Sequence, residues 1–368
     1  MHFFLRLFRA ALPCVLAITG IAHAGSFASE LQLRSQRHSD FSSLDLLGDL
    51  DDSDKLSLAQ PRRGRNLAYI DDEARLGLHR GDWTWSLVAR SRATLMLDGQ
   101  TIRAAQHATG TGRGSDDAQW HIDARLRGFR GVGLEARRDN LDLGGGWKLG
   151  VAAQALALTG VRERSITGEL HYRGSRGQYG GTVSSSERSE RLDFPFRADV
   201  PDAGLGLLLS ADASWQGEAF GFGLGLRDVG VLHWRDLPSQ TFTASTNTAG
   251  VDAEGFLVYR PLLQGQNRQG SATLAAPAWL TLRADWRATP RGTLRLSADV
   301  LAAYGALPAL RWLQSVSRNW TVMAGWHLHE RRLGLGVAGH GFSLELGADR
   351  LGGGAHSRAV SLAWRRAW

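Results

Sequence analysis

The chain has 368 residues, a formal net charge of +7 and 43% hydrophobic residues, with a mean hydropathy of −0.22. Its one cysteine, Cys14, lies near the N-terminus, which excludes a disulfide framework and thiolate chemistry from the remainder. No run approaches the roughly 18 consecutive apolar residues of a spanning helix, and the arginines are dispersed rather than gathered with stacking aromatics, which argues against nucleic acid as a partner.

Residues 1–24 read as an export signal. Arg6 and Arg9 form a positive start, Ala10 to Ile21 a short apolar core, and Ala22-His23-Ala24 a small-residue cleavage site. Residues 25–64 lack sustained alternation. They carry the acidic run Asp49 to Asp54 and the basic turn Pro61 to Arg65, and are expected to form a periplasmic arm or a plug. The acidic run fails as a calcium loop: counted from Asp49, its sixth residue is Asp54 rather than glycine and its twelfth is Gln60 rather than glutamate.

Residues 65–368 are assigned to the main domain, and from about Arg75 the dominant period is two. Trp83, Trp85, Leu87 and Ala89 alternate with polar residues, as do Trp120, Ile122, Ala124 and Leu126, then Trp147, Leu149, Val151 and Ala153. Leu205 to Trp215 and Phe220 to Leu226 flank a tight turn at Gln216-Gly217-Glu218. Leu280 to Trp286 and Leu294 to Val300 flank Pro290-Arg291. Shorter strands follow from Trp320, Leu333, Phe342 and Val360. Such alternation needs an apolar medium on one face and a polar one on the other. The segments match the roughly 9–11 residues of a tilted membrane strand, and open edges are intolerable in lipid, so the ribbon must close on itself. The expected fold is an all-β, antiparallel, up-and-down transmembrane β-barrel of about 14 strands, within a range of roughly 12 to 18. Longer joints at Asp98–Ala118 and Ser189–Ala203 are expected to be outer loops. Alternation fades between Leu237 and Gln269. Trp83, Trp120, Trp147, Trp215, Trp279, Trp320 and Trp368 fall near strand ends, as an interfacial aromatic girdle requires.

The final segment, with Val360, Leu362, Trp364 and Trp368 at alternate or terminal positions, resembles the C-terminal signature of Gram-negative outer-membrane proteins; Arg366 departs from it. That resemblance implies an outer-membrane location, surrounding lipid and lipopolysaccharide, and recognition by the barrel-assembly machinery. The glycine-rich stretch Gly221 to Trp234, with Asp228, Gly230 and Trp234, is similar to a segment of long-chain fatty-acid transporter-like and TraF-like barrels. The asparagine-proline-alanine element of true fatty-acid transporters is missing, so the similarity carries architecture and no binding residues.

On the polar face, Arg90, Arg92, Arg125, Arg127, Arg283, Asp285, Arg287, Arg295 and Asp299 are candidate lumen-lining residues. His327 and His329, two apart, are expected on the same face of one strand and join that set. Asp123, Asp285 and Asp299 are expected to pair with these arginines; arginines left uncompensated would concentrate anions in the lumen. Asp228, His233 and Asp236 are the nearest thing to a catalytic grouping, but nothing in the sequence fixes their geometry. No cofactor or metal is expected, and the reading is not an enzyme. The expected function is a porin-like channel or transporter-like barrel passing small solutes through an arginine-containing lumen. The alternatives are a non-conducting structural or assembly barrel serving an envelope apparatus for secretion, pili or conjugation, and, further off, an outer-membrane barrel enzyme.

Overall fold

A computed structural model of the chain describes residues 27–45, 59–110, 116–201, 203–246, 249–251, 257–259 and 262–367. The leader 1–24, the acidic run Asp49 to Asp54 and the terminal Trp368 lie outside the described residues.

The chain forms strands almost throughout, because β-branched, aromatic and small residues recur at period two. In order these are β1 (Phe27–Ser39), β2 (Arg65–Arg80), β3 (Trp83–Asp98), β4 (Ala118–Gly144), β5 (Trp147–Arg173), β6 (Gln178–Ser189), β7 (Gly204–Gln216) and β8 (Phe220–Ser245). A short pair, β9 (Ala249–Val251) and β10 (Leu257–Tyr259), precedes β11 (Leu263–Ala275), β12 (Trp279–Thr289), β13 (Gly292–Leu301) and β14 (Gly305–Ser315). The last four are β15 (Trp320–His327), β16 (Arg332–Gly339), β17 (Phe342–Ala348) and β18 (Ser357–Ala367). Every pairing is antiparallel, and β18 returns to β1 with Trp364 opposite Leu31, closing a barrel of 14 strands.

The ring runs β1 to β5, then β7, β8 and β12 to β18. β6 and β11 are additions at one end. β5 and β8 are long enough to pair twice: β5 with β7 low and β6 high, β8 with β7 and β12 low and β6 and β11 high. The stretch where alternation fades is therefore a raised wall of sheet.

The two ends differ. One carries both described termini and tight turns such as Gly81-Asp82, Pro290-Arg291 and His340-Gly341, with Gly81 and Gly341 in the left-handed region. The other carries the longer connections, the pattern of short periplasmic turns and long outer loops. Among the described residues one α-helix, α1 (Gly99–Ala108), lies at the long-loop end. Asp98 caps it by accepting from the Gln100 amide at 2.7 Å, and Ile102, Ala104 and His107 bury against β3 and β4.

Three expectations are corrected. Phe27–Ser39 is the first barrel strand rather than an arm or plug; its alternation is masked by polar residues on both faces, and only its pairing with β18 and β2 reveals it. The described residues between β1 and β2 lie at the long-loop end, opposite the termini. Ser189–Ala203 is not an outer loop tip: it joins β6 to β7 partway down the wall, while the tip of that hairpin is at Gly174–Gly177.

The outward faces carry an apolar belt. Trp85, Leu87, Leu134, Leu209 and Leu333 are all more than half exposed, and Leu335 is 70% exposed. A water-soluble protein does not display such a continuous band, and lipid is the medium it suits. Trp83, Trp147 and Trp320 are exposed near the short-turn end of the belt, as girdle residues should be. Trp279 and Trp120 are not girdle residues: Trp279 is buried in the lumen and Trp120 lies beneath α1.

Candidate functional site

Among the described residues, packed side chains cross the lumen. Toward the long-loop end, apolar side chains from opposite walls meet inside it. Leu67 and Tyr69 of β2 pack on Trp279, Leu301 and Leu307 of β12 to β14, and Phe129, Leu156, Leu208, Leu232 and Trp234 form a second cluster.

Beneath this layer a lattice of charges crosses the barrel. It depends on a β-bulge in β8. The β7–β8 ladder slips between Leu209 and Ala211, so that Arg227 and Asp228 together oppose Ser210. Asp228 adopts φ +61 and its amide donates to Ser210 Oγ at 3.2 Å. Leu226 and Val229 on either side remain exposed on the outer wall, so the bulge turns two successive side chains inward.

Asp228 then reaches β3 across the lumen. Arg90 grips its carboxylate with two hydrogen bonds, 2.7 and 2.9 Å, and Arg92 contacts the same carboxylate. Arg92 also donates to Asp71 of β2 at 2.9 Å, Arg34 of β1 to Asp71 at 2.9 Å, and Arg90 lies 3.2 Å from Glu73. Arg75 bridges Glu73 and Glu135, each at 3.0 Å, and Gln154 holds Glu135 at 2.5 Å. Arg90, Arg92, Asp71 and Asp228 are nearly inaccessible to solvent. Charges this deep persist only with partners on every side. The arginines also join this layer to the apolar one, since the guanidinium of Arg92 lies 5.0 Å from the ring of Trp279 and that of Arg227 5.6 Å.

On the short-turn side of the lattice is a cavity of about 510 Å³. Its wall includes six arginines, Arg34, Arg75, Arg90, Arg137, Arg227 and Arg283, against the carboxylates of Glu73, Glu135, Asp212 and Asp228. Gly223 and Gly225 line the β8 side without side chains, and a Cβ at Gly223 would come within 3.0 Å of Arg283 Nε.

The candidate lumen residues divide. Arg90 and Arg92 form the bridge, and Arg283 lines the cavity. Asp285 pairs with Arg295 at 2.7 Å and lies 3.6 Å from Arg283, while Asp299 accepts from Thr281 at 2.6 Å. Arg287 is exposed near the end of β12. Arg125 and Arg127 share the inward face but lie on the raised part of β4, more than half exposed, paired with Asp123 and Glu163. Asp71, Glu73, Arg34 and Glu135 were missed. The signal was present in the period-two charges Asp71, Glu73 and Arg75 beside Arg90 and Arg92, but no sequence rule says which strand lies opposite. Asp228, His233 and Asp236 do not assemble into a catalytic group: Asp228 points inward, whereas His233 is exposed on the outer wall and pairs with Thr273 at 3.0 Å.

His327 and His329 do not share a strand face. β15 ends at His327, and His329 lies in the following turn. His327 contacts Arg332 at 3.1 Å and Glu330 at 3.5 Å, whereas His329 joins a latch at the long-loop end. There Asp40, just beyond β1, takes hydrogen bonds from His38 Nε2 at 2.9 Å, His329 Nε2 at 3.0 Å, Tyr304 Oη at 3.0 Å and the Leu67 amide at 2.8 Å. His38, Asp40 and His329 bring three ligand atoms within 4.8 Å of one another, a spacing compatible with a metal. However, the Arg62 guanidinium is 2.7 Å from the Asp40 carboxylate and 3.4 Å from His329 Nε2. A cation of the chain itself thus stands in that space, and the group works as a hydrogen-bonded latch between β1, the approach to β2 and the β15–β16 turn.

Burial alone would push the Asp40 carboxyl up, but the bonds from His329 and His38 outweigh it and hold the group well below the usual carboxylate range. A carboxyl depressed in the folded state contributes stability above its unfolded value of about 3.9, and loses it as pH falls below that toward the folded value. The contribution of the Asp40 carboxylate is therefore expected to be present at pH 5 and above and to be lost only below about pH 4. Hydrogen exchange at the Leu67 amide checks this: Asp40→Asn should speed it about tenfold at pH 7, and a wild-type protein already loosened at pH 5 would contradict it.

These features define an antiparallel transmembrane β-barrel of the outer-membrane kind, with a bridged lumen and a polar vestibule at one end. No protein-family model matches the chain, nor does any curated protein. Among solved structures it is similar to the toluene transporter TbuX of Ralstonia pickettii, with 10% identity over 94% of this chain and 90% of that one and a TM-score of 0.42. It is also similar to the toluene transporter TodX of Pseudomonas putida, with 10% identity over 94% and 91% and a TM-score of 0.40. The translocator domain of the autotransporter NalP of Neisseria meningitidis gives 10% identity over 99% and 96%, with a TM-score of 0.27.

Proposed function

We propose that this chain is an outer-membrane transporter-like barrel, shut at rest, that admits small and preferably anionic solutes to its vestibule and passes them only when the charge lattice yields. The observation that carries this reading is the cavity of about 510 Å³ that ends against the Arg90–Arg92–Asp228 bridge. Six arginines against four carboxylates leave its wall electropositive, which raises the local concentration of anions. Polar groups at the wall replace part of a solute's hydration, while the apolar layer beyond keeps water from running through.

The test is electrical. In planar bilayers the processed protein should be nearly silent at low voltage, with brief openings whose reversal potential in a salt gradient lies on the anion side. A permanently wide pore, or cation selectivity, would sink the proposal. The packed upper lumen favours a second reading, a non-conducting structural or assembly barrel; stable co-purification of an envelope partner in mild detergent, together with silence in every lumen variant, would support that instead. Under either reading the chain is exported, cut after Ala24 and handed to the barrel-assembly machinery through its C-terminal strand. Mass spectrometry of the mature N-terminus, expected at Gly25, checks the cleavage.

A further inference from the structure

The outer wall carries a feature that the transport reading does not use. On β3 to β5 the outward row climbs from the exposed apolar residues Trp85, Leu87, Leu134 and Val132 and then changes character. The next outward positions are Ser91 on β3, Arg130 on β4, and Gly160 and Arg162 on β5, followed by Ser189 on β6. They share a face because Ser91 pairs with Arg130, Arg130 with Gly160, and Arg162 with Ser189. A slip in the β4–β5 ladder between Arg130 and Gly131 keeps Arg162 on the outward face while Leu158 and Val161 stay buried.

These residues and Arg191 line a hollow of about 170 Å³ just beyond the edge of the apolar belt. Gly160 leaves its floor clear: a Cβ there would stand 2.9 Å from Glu190 Oε1 and 3.0 Å from Arg130 Nη2. The surrounding charge is asymmetric. Arg162 and Arg164 share Glu187, at 2.8 and 3.3 Å, and Arg130 and Arg191 share Glu190, at the looser distances of 3.7 and 3.5 Å. Arg130 and Arg191 thus converge on the same carboxylate and hold it only weakly. Within six residues the same connection presents Phe196, fully exposed at φ +65. An exposed aromatic ring beside arginines, at the border between an apolar belt and a polar wall, is the composition of a membrane interface.

We propose that this hollow binds the phosphate of a phosphorylated outer-leaflet glycolipid, with Arg130 and Arg191 as the principal ligands, Arg162 in support and Phe196 against the acyl region. The long-loop end sets the leaflet. Guanidinium matches phosphate through paired, charge-assisted hydrogen bonds, and a phosphate dianion would supply the charge that Glu190 cannot give to two arginines at once. Its headgroup plane would lie at the height where the apolar row stops.

The test uses the full processed chain in nanodiscs or mild detergent, with native mass spectrometry reading bound lipid. Bis-phosphorylated lipid A should be retained, and its dephosphorylated form retained about tenfold less. Arg130→Ala with Arg191→Ala should lower retention of the phosphorylated form about tenfold, while Arg318→Ala, in a turn at the opposite end, leaves it unchanged. Heat-modifiable migration of the double variant confirms that the barrel is formed. Equal retention of the two lipid forms, wild-type retention by the folded double variant, or full displacement by millimolar inorganic phosphate would each overturn the proposal.

Discussion

Asp228→Ala is expected to convert a nearly silent barrel into a conducting one and to weaken it at the same time. The carboxylate is the only group of β8 that ties both Arg90 and Arg92 to the opposite wall among the described residues. Its removal leaves two buried guanidinium groups short of counter-charge, which costs roughly 3–5 kcal/mol when one partner of a buried pair is lost. Urea unfolding in lipid vesicles, followed by tryptophan fluorescence, should show that loss. In planar bilayers the variant should carry a sustained current with stronger anion preference than the wild type, because a negative charge has left a wall already rich in arginine. Asp228→Asn separates charge from volume: it preserves the size of the side chain, so current in this variant as well would assign the closure to charge rather than to bulk. If both variants fold and remain silent, the apolar layer above the lattice is the true barrier and the gate is misplaced.

The second large effect concerns the outer face. Leu335 lies mid-strand on β16, 70% exposed, where the barrel meets the centre of the belt. Leu335→Arg is expected to destabilise the barrel by roughly 2–4 kcal/mol, since a cation at that depth must shed its hydration or deform the bilayer. Gln32→Arg, on the cavity wall, should change stability by less than about 1 kcal/mol, because the site is polar and the carboxylates of Glu30 and Glu73 are nearby. Equal tolerance of both substitutions would mean that the exposed apolar band does not face lipid.

Much of this architecture could be read from the residues alone. The alternation that begins at Trp83 specifies strands with one oily face, and strands in lipid satisfy their backbone groups only by closing on themselves. The hairpins at Gln216–Phe220 and Thr289–Gly292 fall where the turn residues place them. The first strand was not legible. Phe27–Ser39 mixes Glu30, Gln32, Arg34 and His38 on its inner face with Ser35 and Arg37 on its outer one, so its period is hidden by polarity on both sides. The site was half legible for a related reason: Arg90 and Arg92 announce an inward charged face, but their partner Asp228 lies 138 and 136 residues away.

What the sequence determined by itself was local and periodic: which residues are extended, which face of each strand is apolar, and that a ribbon of such strands belongs in a bilayer. Those properties follow from each residue's own chemistry and that of its immediate neighbours. The tertiary structure alone decided that β1 seals the ring against β18, that a bulge turns Arg227 and Asp228 inward together, and that the arginines of β3 meet a carboxylate from the far wall. These depend on register and on the width of the closed barrel, and a one-residue shift along any one strand would carry that strand's lattice charges to the other face.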